Sequence, residues 1–151
     1  MTVASTTSVN VKQAVPFFGV TDMQGSLRYY VDGLGFQMKH WWIPHREEDK
    51  PDGRIRWCWL ELGEAAIMLQ EFLPEHQPKE TLGTGASVSF MCEDALAIYR
   101  DAASRGIKVA RNPFVGNGLW VVSFSDPDGY RIDFESPTDV AEETEYSPQH
   151  H

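Results

Sequence analysis

The residues with chemistry to offer are five tryptophans, the carboxylates Asp133 and Glu135, the histidines His40 and His45, and the cysteines Cys58 and Cys92. Trp57 and Trp59 are two positions apart, so on a strand they share a face, while Trp41, Trp42 and Trp120 stand on other strand-like runs. Indole presents a broad plane at small entropic cost, and such a cluster can stack on a flat organic ring. It can equally fill the curve of a wide sheet or a subunit interface, and at least one of the five reads as plain core. Asp133 and Glu135 can anchor a cation, act as a general base, or pair with Arg131 or Arg54 across a hairpin. His40 and His45 flank a charged loop and read as solvated or structural. The cysteines lie in apolar runs without a CxxC partner, where thiolates are disfavoured. No Ser-His-Asp or Cys-His grouping emerges, and Gly116-Asn117-Gly118 lacks the following helix and Lys of a phosphate loop.

These residues are positioned by a sequence that passes twice through one order of elements. The first pass opens with the apolar run Ala14 to Val20. Its helix is capped by the Asp22 carboxylate, carries Met23, Leu27, Tyr30, Val31 and Leu34 inward, and closes at Gly35. Strands follow at Phe36 to Ile43, Arg54 to Leu62 and Ala65 to Phe72, the last two joined across Gly63-Glu64 as a type II′ hairpin. Between the passes, Leu73 to Gly85 is rich in Pro and Gly and reads as a linker.

The second pass opens at Ser87 to Met91, is capped at Asp94 and closes at Gly106, with short strands at Ile107 to Ala110, Leu119 to Ser125 and Gly129 to Ser136. The final pair is joined by the turn Asp126-Pro127-Asp128-Gly129. A repeated unit of this kind buries its face only against its twin. The pattern implies an α+β domain of two βαβββ modules, residues 14–72 and 86–136, forming curved mixed sheets around a cleft. Residues 1–13 read as a flexible arm and 137–151 as a solvated acidic tail; the terminal pair His150-His151 enters no functional argument.

At 151 residues the chain suits one well-buried domain. A net charge of −9 makes a phosphate-tracking surface a poor expectation, so nucleic acid is not an expected partner and a cationic or neutral organic ligand is. No run approaches the roughly 20 apolar residues that span a bilayer, and the start lacks a secretory signal pattern. The expectation is a cytoplasmic protein with no membrane partner.

The βαβββ repeat, the opening Ala14-Val15-Pro16, the helix end Gly33-Leu34-Gly35-Phe36 and the closing Asp126-Pro127-Asp128-Gly129-Tyr130-Arg131-Ile132-Asp133-Phe134-Glu135 resemble the vicinal oxygen chelate superfamily. This group includes glyoxalase I, extradiol dioxygenases, fosfomycin resistance proteins and bleomycin resistance proteins. Its metal-using members place ligands on the first, fourth, fifth and last strands. The resemblance maps those places to Val15, Met68, Ser87 and Asp133, a set too poor in donors for a divalent cation. The pattern is therefore most similar to the metal-free bleomycin resistance proteins, which implies no cofactor and a homodimer that sequesters a ligand. Residues in phase with the lost ligand positions then mark the candidate binding surface.

The expected ligand-binding residues are Phe17, Trp42, Trp57, Trp59, Met68, Gln70, Ser87, Ser89, Trp120, Asp133 and Glu135. They describe a groove aromatic at one end and acidic at the other, suited to a planar or aliphatic cation and open to drug sequestration as a role. No catalytic residue is assigned. Two other readings stand beside it: a metal-dependent lyase, isomerase or dioxygenase with unusual ligands such as His40, Gln70, Glu71 and Asp133, and a dimeric interaction module without a ligand.

Overall fold

The computed structural model describes residues 9–45 and 53–150. Most of the expected N-terminal arm, most of the charged loop Pro44 to Gly53, and His151 lie outside the described residues.

The repeat is realised as two four-stranded sheets of identical order. In the first, β1 (Phe17–Val20), β2 (Gln37–Trp42), β3 (Trp57–Leu62) and β4 (Ala65–Glu71) stand in the order β1-β4-β3-β2. In the second, β5 (Ser87–Met91), β6 (Phe114–Gly116), β7 (Leu119–Ser125) and β8 (Arg131–Pro137) stand in the order β5-β8-β7-β6. The opening strand of each module pairs in parallel with its closing strand, and the other pairings are antiparallel. Each parallel pair needs a crossover, which the helices α1 (Met23–Leu27) and α2 (Ala95–Ser104) begin. No stretch of the described residues forms a helix long and apolar enough to cross a membrane.

The first helix departs from expectation in two ways. It is α-helical for five residues only and then widens into a π-helix over Arg28–Gly33 before Gly35 closes it at φ 89°. The wide turn lays Gly33 against the second module, where an added Cβ would fall 2.6 Å from Ile107 Cδ1 and where Arg105 Nη1 donates to the Gly33 carbonyl at 2.7 Å. The Asp22 side chain also makes no capping bond. The Met23 amide instead donates to Glu71 Oε2 at 2.7 Å, because β4 ends beside the start of α1 and brings in a buried carboxylate. Asp94 does cap α2, accepting from the Ala97 amide at 3.0 Å.

The helix-side faces of both sheets close on one shared core. Phe18, Val20, Cys58, Leu60, Ile67 and Leu69 come from the first sheet, and Phe90, Val122, Phe124, Ile132 and Phe134 from the second, with Tyr30, Leu34, Phe36 and Leu96 between them. Polar contacts lock the modules together. Tyr30 donates to Asp126 Oδ2 at 2.7 Å, Thr21 Oγ1 to Asp128 at 2.5 Å, and the Tyr130 hydroxyl to the Gly19 carbonyl at 2.8 Å, while Phe18 and Tyr130 stack at 4.2 Å. Burial raises the pKa of Asp126 and of Tyr30, the latter further because its phenolate would face that carboxylate.

Two expectations for the second module are corrected. Residues 107–110 form no strand, and β6 lies further on at Phe114–Gly116. The acidic segment after Pro137 is no loose tail. Its backbone docks along β6, with Val115 N donating to Thr144 O at 2.8 Å and Glu143 N to Val115 O at 2.9 Å, and Tyr146 packs edge-on against Tyr99 of α2. An exposed β6 edge would otherwise present unpaired amides, and the segment satisfies them.

Candidate functional site

Because the helix-side faces are consumed by the core, the chemistry left over lies on the opposite, outer face of each sheet. On the first sheet, alternation along the strands and the pairing register gather the expected aromatic residues into two cross-strand rows. One row runs His40, Trp59, Met68, Phe17 across β2, β3, β4 and β1; the next runs Trp42, Trp57, Gln70, Gly19. Phe17 is 53% exposed and Trp42 49%, large values for side chains of this size. Trp59 is fixed by its Nε1, which donates to Glu61 Oε2 at 2.7 Å. The second row ends on a wall that sequence reasoning missed: a Cβ at Gly19 would fall 2.3 Å from Phe72 Cζ, so the Phe72 ring lies on that bare backbone. Its phase with Gln70 and Met68, two and four residues back, was the available signal.

The outer face of the second sheet is of different character. Ser87, Arg131 and Ser125 form one row, Ser89, Asp133 and Ser123 the next, and Met91, Glu135 and Val121 the third. Asp133 is buried because Arg131 lies over it: Nε meets Oδ1 at 3.1 Å, and the same guanidinium reaches Ser123 Oγ at 3.3 Å. This is the structural pairing that the sequence left open for Asp133. Glu135 accepts from Ser89 Oγ at 3.4 Å.

Trp120 does not belong to the site. It has the phase of Val122 and Phe124, is 6% exposed, and is covered by the docked C-terminal segment, with the His150 ring 5.1 Å away. Trp41 points to the side opposite Trp42, as alternation requires, and remains exposed. Within one chain the two modules share a cavity of about 220 Å³ lined by Phe17, Phe18, Ser87, Tyr130 and Arg131 among others, and one of about 410 Å³ lined by Val15, Ala66 and Ser89 among others. A roomier cavity of about 560 Å³ lies away from the tryptophan rows, between Leu62, Phe90, Cys92 and Phe134.

The donor set does not fit a divalent metal. Of the four positions implied by the resemblance, Val15 has no lone pair, Met68 sits in an aromatic row, Ser87 offers a hydroxyl, and Asp133 is paired with Arg131. The alternative set of His40, Gln70, Glu71 and Asp133 is not brought together. Glu71 points to the helix side, where it holds Arg54 and Arg56, and Asp133 is in the other sheet. Among the described residues no three His, Cys, Asp or Glu side chains gather as a metal site. Neither thiol is poised for attack, since burial pushes Cys58 up to about 11 and raises Cys92.

Paired βαβββ modules with their helix faces closed on one core and their outer faces left for function define a fold class, and the comparisons with known proteins place the chain within it. Residues 12–134 match the family model described as the Glyoxalase/Bleomycin resistance protein/Dioxygenase superfamily, and the chain belongs to that family. No curated protein matches the sequence. Among solved structures, it is similar to a bleomycin-binding protein complexed with bleomycin, at 19% identity and TM-score 0.61, covering 85% of this chain and 100% of that one. It is also similar to TnmS3, an antibiotic binding protein from Streptomyces sp. CB03234, at 24% identity and TM-score 0.61, covering 84% and 98%. TioX from Micromonospora sp. ML1 matches at 16% identity and TM-score 0.62, covering 85% and 100%. At these identities the likeness carries the fold and leaves the ligand to this chain's own residues.

Proposed function

We propose that this protein binds a planar, positively charged organic molecule stoichiometrically and without a metal, in the manner of drug sequestration. The observation that carries the reading is the pair of cross-strand rows that puts Trp42, Trp57, Trp59, Phe17 and Met68 on one solvent-facing surface. The indoles of Trp42 and Trp57 make no ring contact or side-chain hydrogen bond among the described residues, and Trp42 is exposed, which supports stacking there. Side chains two apart on a strand emerge about 7 Å from one another. That is roughly twice the 3.5 Å of a stacking contact, so one flat ring fits between Trp57 and Trp59. Glu135 on the second sheet, where Asp133 is already paired with Arg131, and a net charge of −9 favour a cation.

A single chain leaves the aromatic face open. A homodimer that sets the first sheet of one copy against the second sheet of the other would close it, bringing Ser87, Ser89 and Glu135 over the ligand, with Asp133 beneath its partner Arg131. The two neighbours whose names state bleomycin and antibiotic binding support this reading of the fold.

The test is a titration of tryptophan emission with flat aromatic cations such as proflavine, in the presence of EDTA, together with sedimentation. Quenching that saturates at one site per subunit is expected, and Trp57→Ala should weaken binding by about 10-fold to 100-fold, the worth of one stacking contact. Equal affinity of wild type and Trp57→Ala, or binding that EDTA abolishes, would contradict the proposal. A monomer at micromolar concentration would contradict the two-chain groove.

A further inference from the structure

Gln70 is the polar side chain at the centre of the aromatic face. It stands in the register Gly19, Gln70, Trp57, so Trp57 flanks it on one strand and the Phe72 ring covers the Gly19 backbone on the other. It is exposed, and its amide has no partner among the described residues. The other polar groups of the face differ in this respect or in place. Glu61 is engaged by Trp59 Nε1, Gln37 lies opposite Glu61 at the far end of β2, and His40 is also on that edge strand.

A ring stacked on Trp57 turns one edge toward β4, and the first group it meets there is the Gln70 amide. That amide offers a donor and an acceptor side by side in one plane. The matching edge carries an acceptor and a donor in the same arrangement, as in a ring lactam or an aminopyridine-type nitrogen; the same pairing lets Gln read adenine bidentately. An apolar edge would cover the amide without satisfying it, and an acceptor-only edge would take its N–H but leave its carbonyl unpaired, a loss that exceeds the net gain of a hydrogen bond.

We infer that Gln70 is the specificity-determining residue of this face, selecting fused-ring ligands whose edge carries adjacent N–H and C=O, or the equivalent donor and acceptor. The inference rests on the stacking reading of the face but makes a separate demand on it. It concerns the edge of the ligand, whereas the tryptophans concern its plane.

Phenanthridin-6(5H)-one and its lactone isostere benzo[c]chromen-6-one are the probes, since they share shape and ring area and differ by one N–H. Wild type should bind the lactam about tenfold more tightly than the lactone, the discrimination of one satisfied hydrogen bond on a partly open surface. Gln70→Leu, which lacks both groups, should bind the two compounds alike, whereas Gln70→Glu, which keeps an acceptor for the ligand N–H and loses only the donor to the C=O that both compounds share, should keep the preference for the lactam. The urea midpoint of each variant should match wild type, because the residue is exposed on a strand whose inner neighbours form the core. Equal binding of the two compounds by wild type, or a preference that survives in Gln70→Leu, overturns this inference and leaves the stacking face intact. Failure of both compounds and of proflavine to bind overturns the two readings together.

Discussion

Glu71 offers the sharpest test of how this fold is held. Its carboxylate is 1% exposed; Oε2 accepts from the Met23 amide at 2.7 Å, and Oε1 accepts from Arg54 Nη2 at 2.5 Å and from Arg56 Nη1. Glu71→Gln keeps the shape but turns an amide donor toward either the Met23 N–H or a guanidinium. It removes a charge-assisted hydrogen bond of about 1.5–3 kcal/mol. The contribution of Arg54 is discounted, since its side chain is 44% exposed and water replaces its partner; that of Arg56, 19% exposed, is retained. The expected loss is about 2–3 kcal/mol, or roughly 5–10 °C in Tm for a chain of this size. Glu71→Ala, which also orphans the buried amide, should cost about 3–5 kcal/mol. Asp22→Ala should fall within about 0.5 kcal/mol of wild type, because Asp22 caps nothing. Urea unfolding monitored by circular dichroism measures all three. If Glu71→Gln shifts stability by less than about 0.5 kcal/mol, or if Asp22→Ala is the costlier change, the assignment of the cap to β4 is wrong.

Two further outcomes follow from the inter-module contacts and the docked C-terminal segment. Ending the chain at Pro137 removes the bonds from residues 143–146 to β6 and the cover over Trp120. A red-shifted tryptophan emission and self-association beyond that of the parent should result, and unchanged emission with unchanged sedimentation would show that the segment is dispensable. The raised pKa of Asp126 has a definite sign. A carboxylic acid whose folded pKa lies above the unfolded value stabilises fully below the unfolded pKa and loses that contribution as pH rises through the folded one. The stability of wild type relative to Asp126→Asn should therefore rise as pH falls from 7 toward 4, and a difference that stays flat or moves the other way in urea midpoints would refute it.

What could be read from the sequence was whatever period and phase determine. Alternation placed Trp57, Trp59, Met68, Gln70 and Phe17 on one side of one sheet, and the doubled order of elements implied two sheets of like topology, as observed. Phase also held the answer for Trp120, two residues before Val122 and four before Phe124, but its residue type outweighed its position in the reading. The π-helix and the cap from Glu71 were not legible, since both depend on where a distant segment packs: Ile107 against Gly33 and the end of β4 against Met23. The C-terminal segment misled through composition. Its acidic residues suggested solvation, yet the Glu142 carboxylate takes the amides of Asn117 and Gly118 at the β6–β7 turn, so the charge is part of the docking.

The division of labour between the modules follows from the same packing. The helix-side faces together make a single core, which takes up most of the inner side of each sheet and leaves there a cavity by Phe90 and Phe134. The outer faces are then free to differ, and they do: indoles and Phe rings on the first, serines with Arg131, Asp133 and Glu135 on the second. A stacking surface alone holds a ring with little orientation, and a charged surface alone holds an ion with little contact area. The two surfaces face away from one core and approach each other at the cavities by Phe17 and Arg131 and by Ala66 and Ser89, and in the proposed dimer a second copy would bring the tryptophan rows and the charged face together. Ligand binding and dimer formation should consequently be linked: if the groove spans two chains, a saturating ligand tightens the dimer by the same factor by which dimerisation tightens the ligand. Sedimentation with and without proflavine measures that factor, and a dimer constant indifferent to a ligand bound at the tryptophans would assign the whole site to one chain.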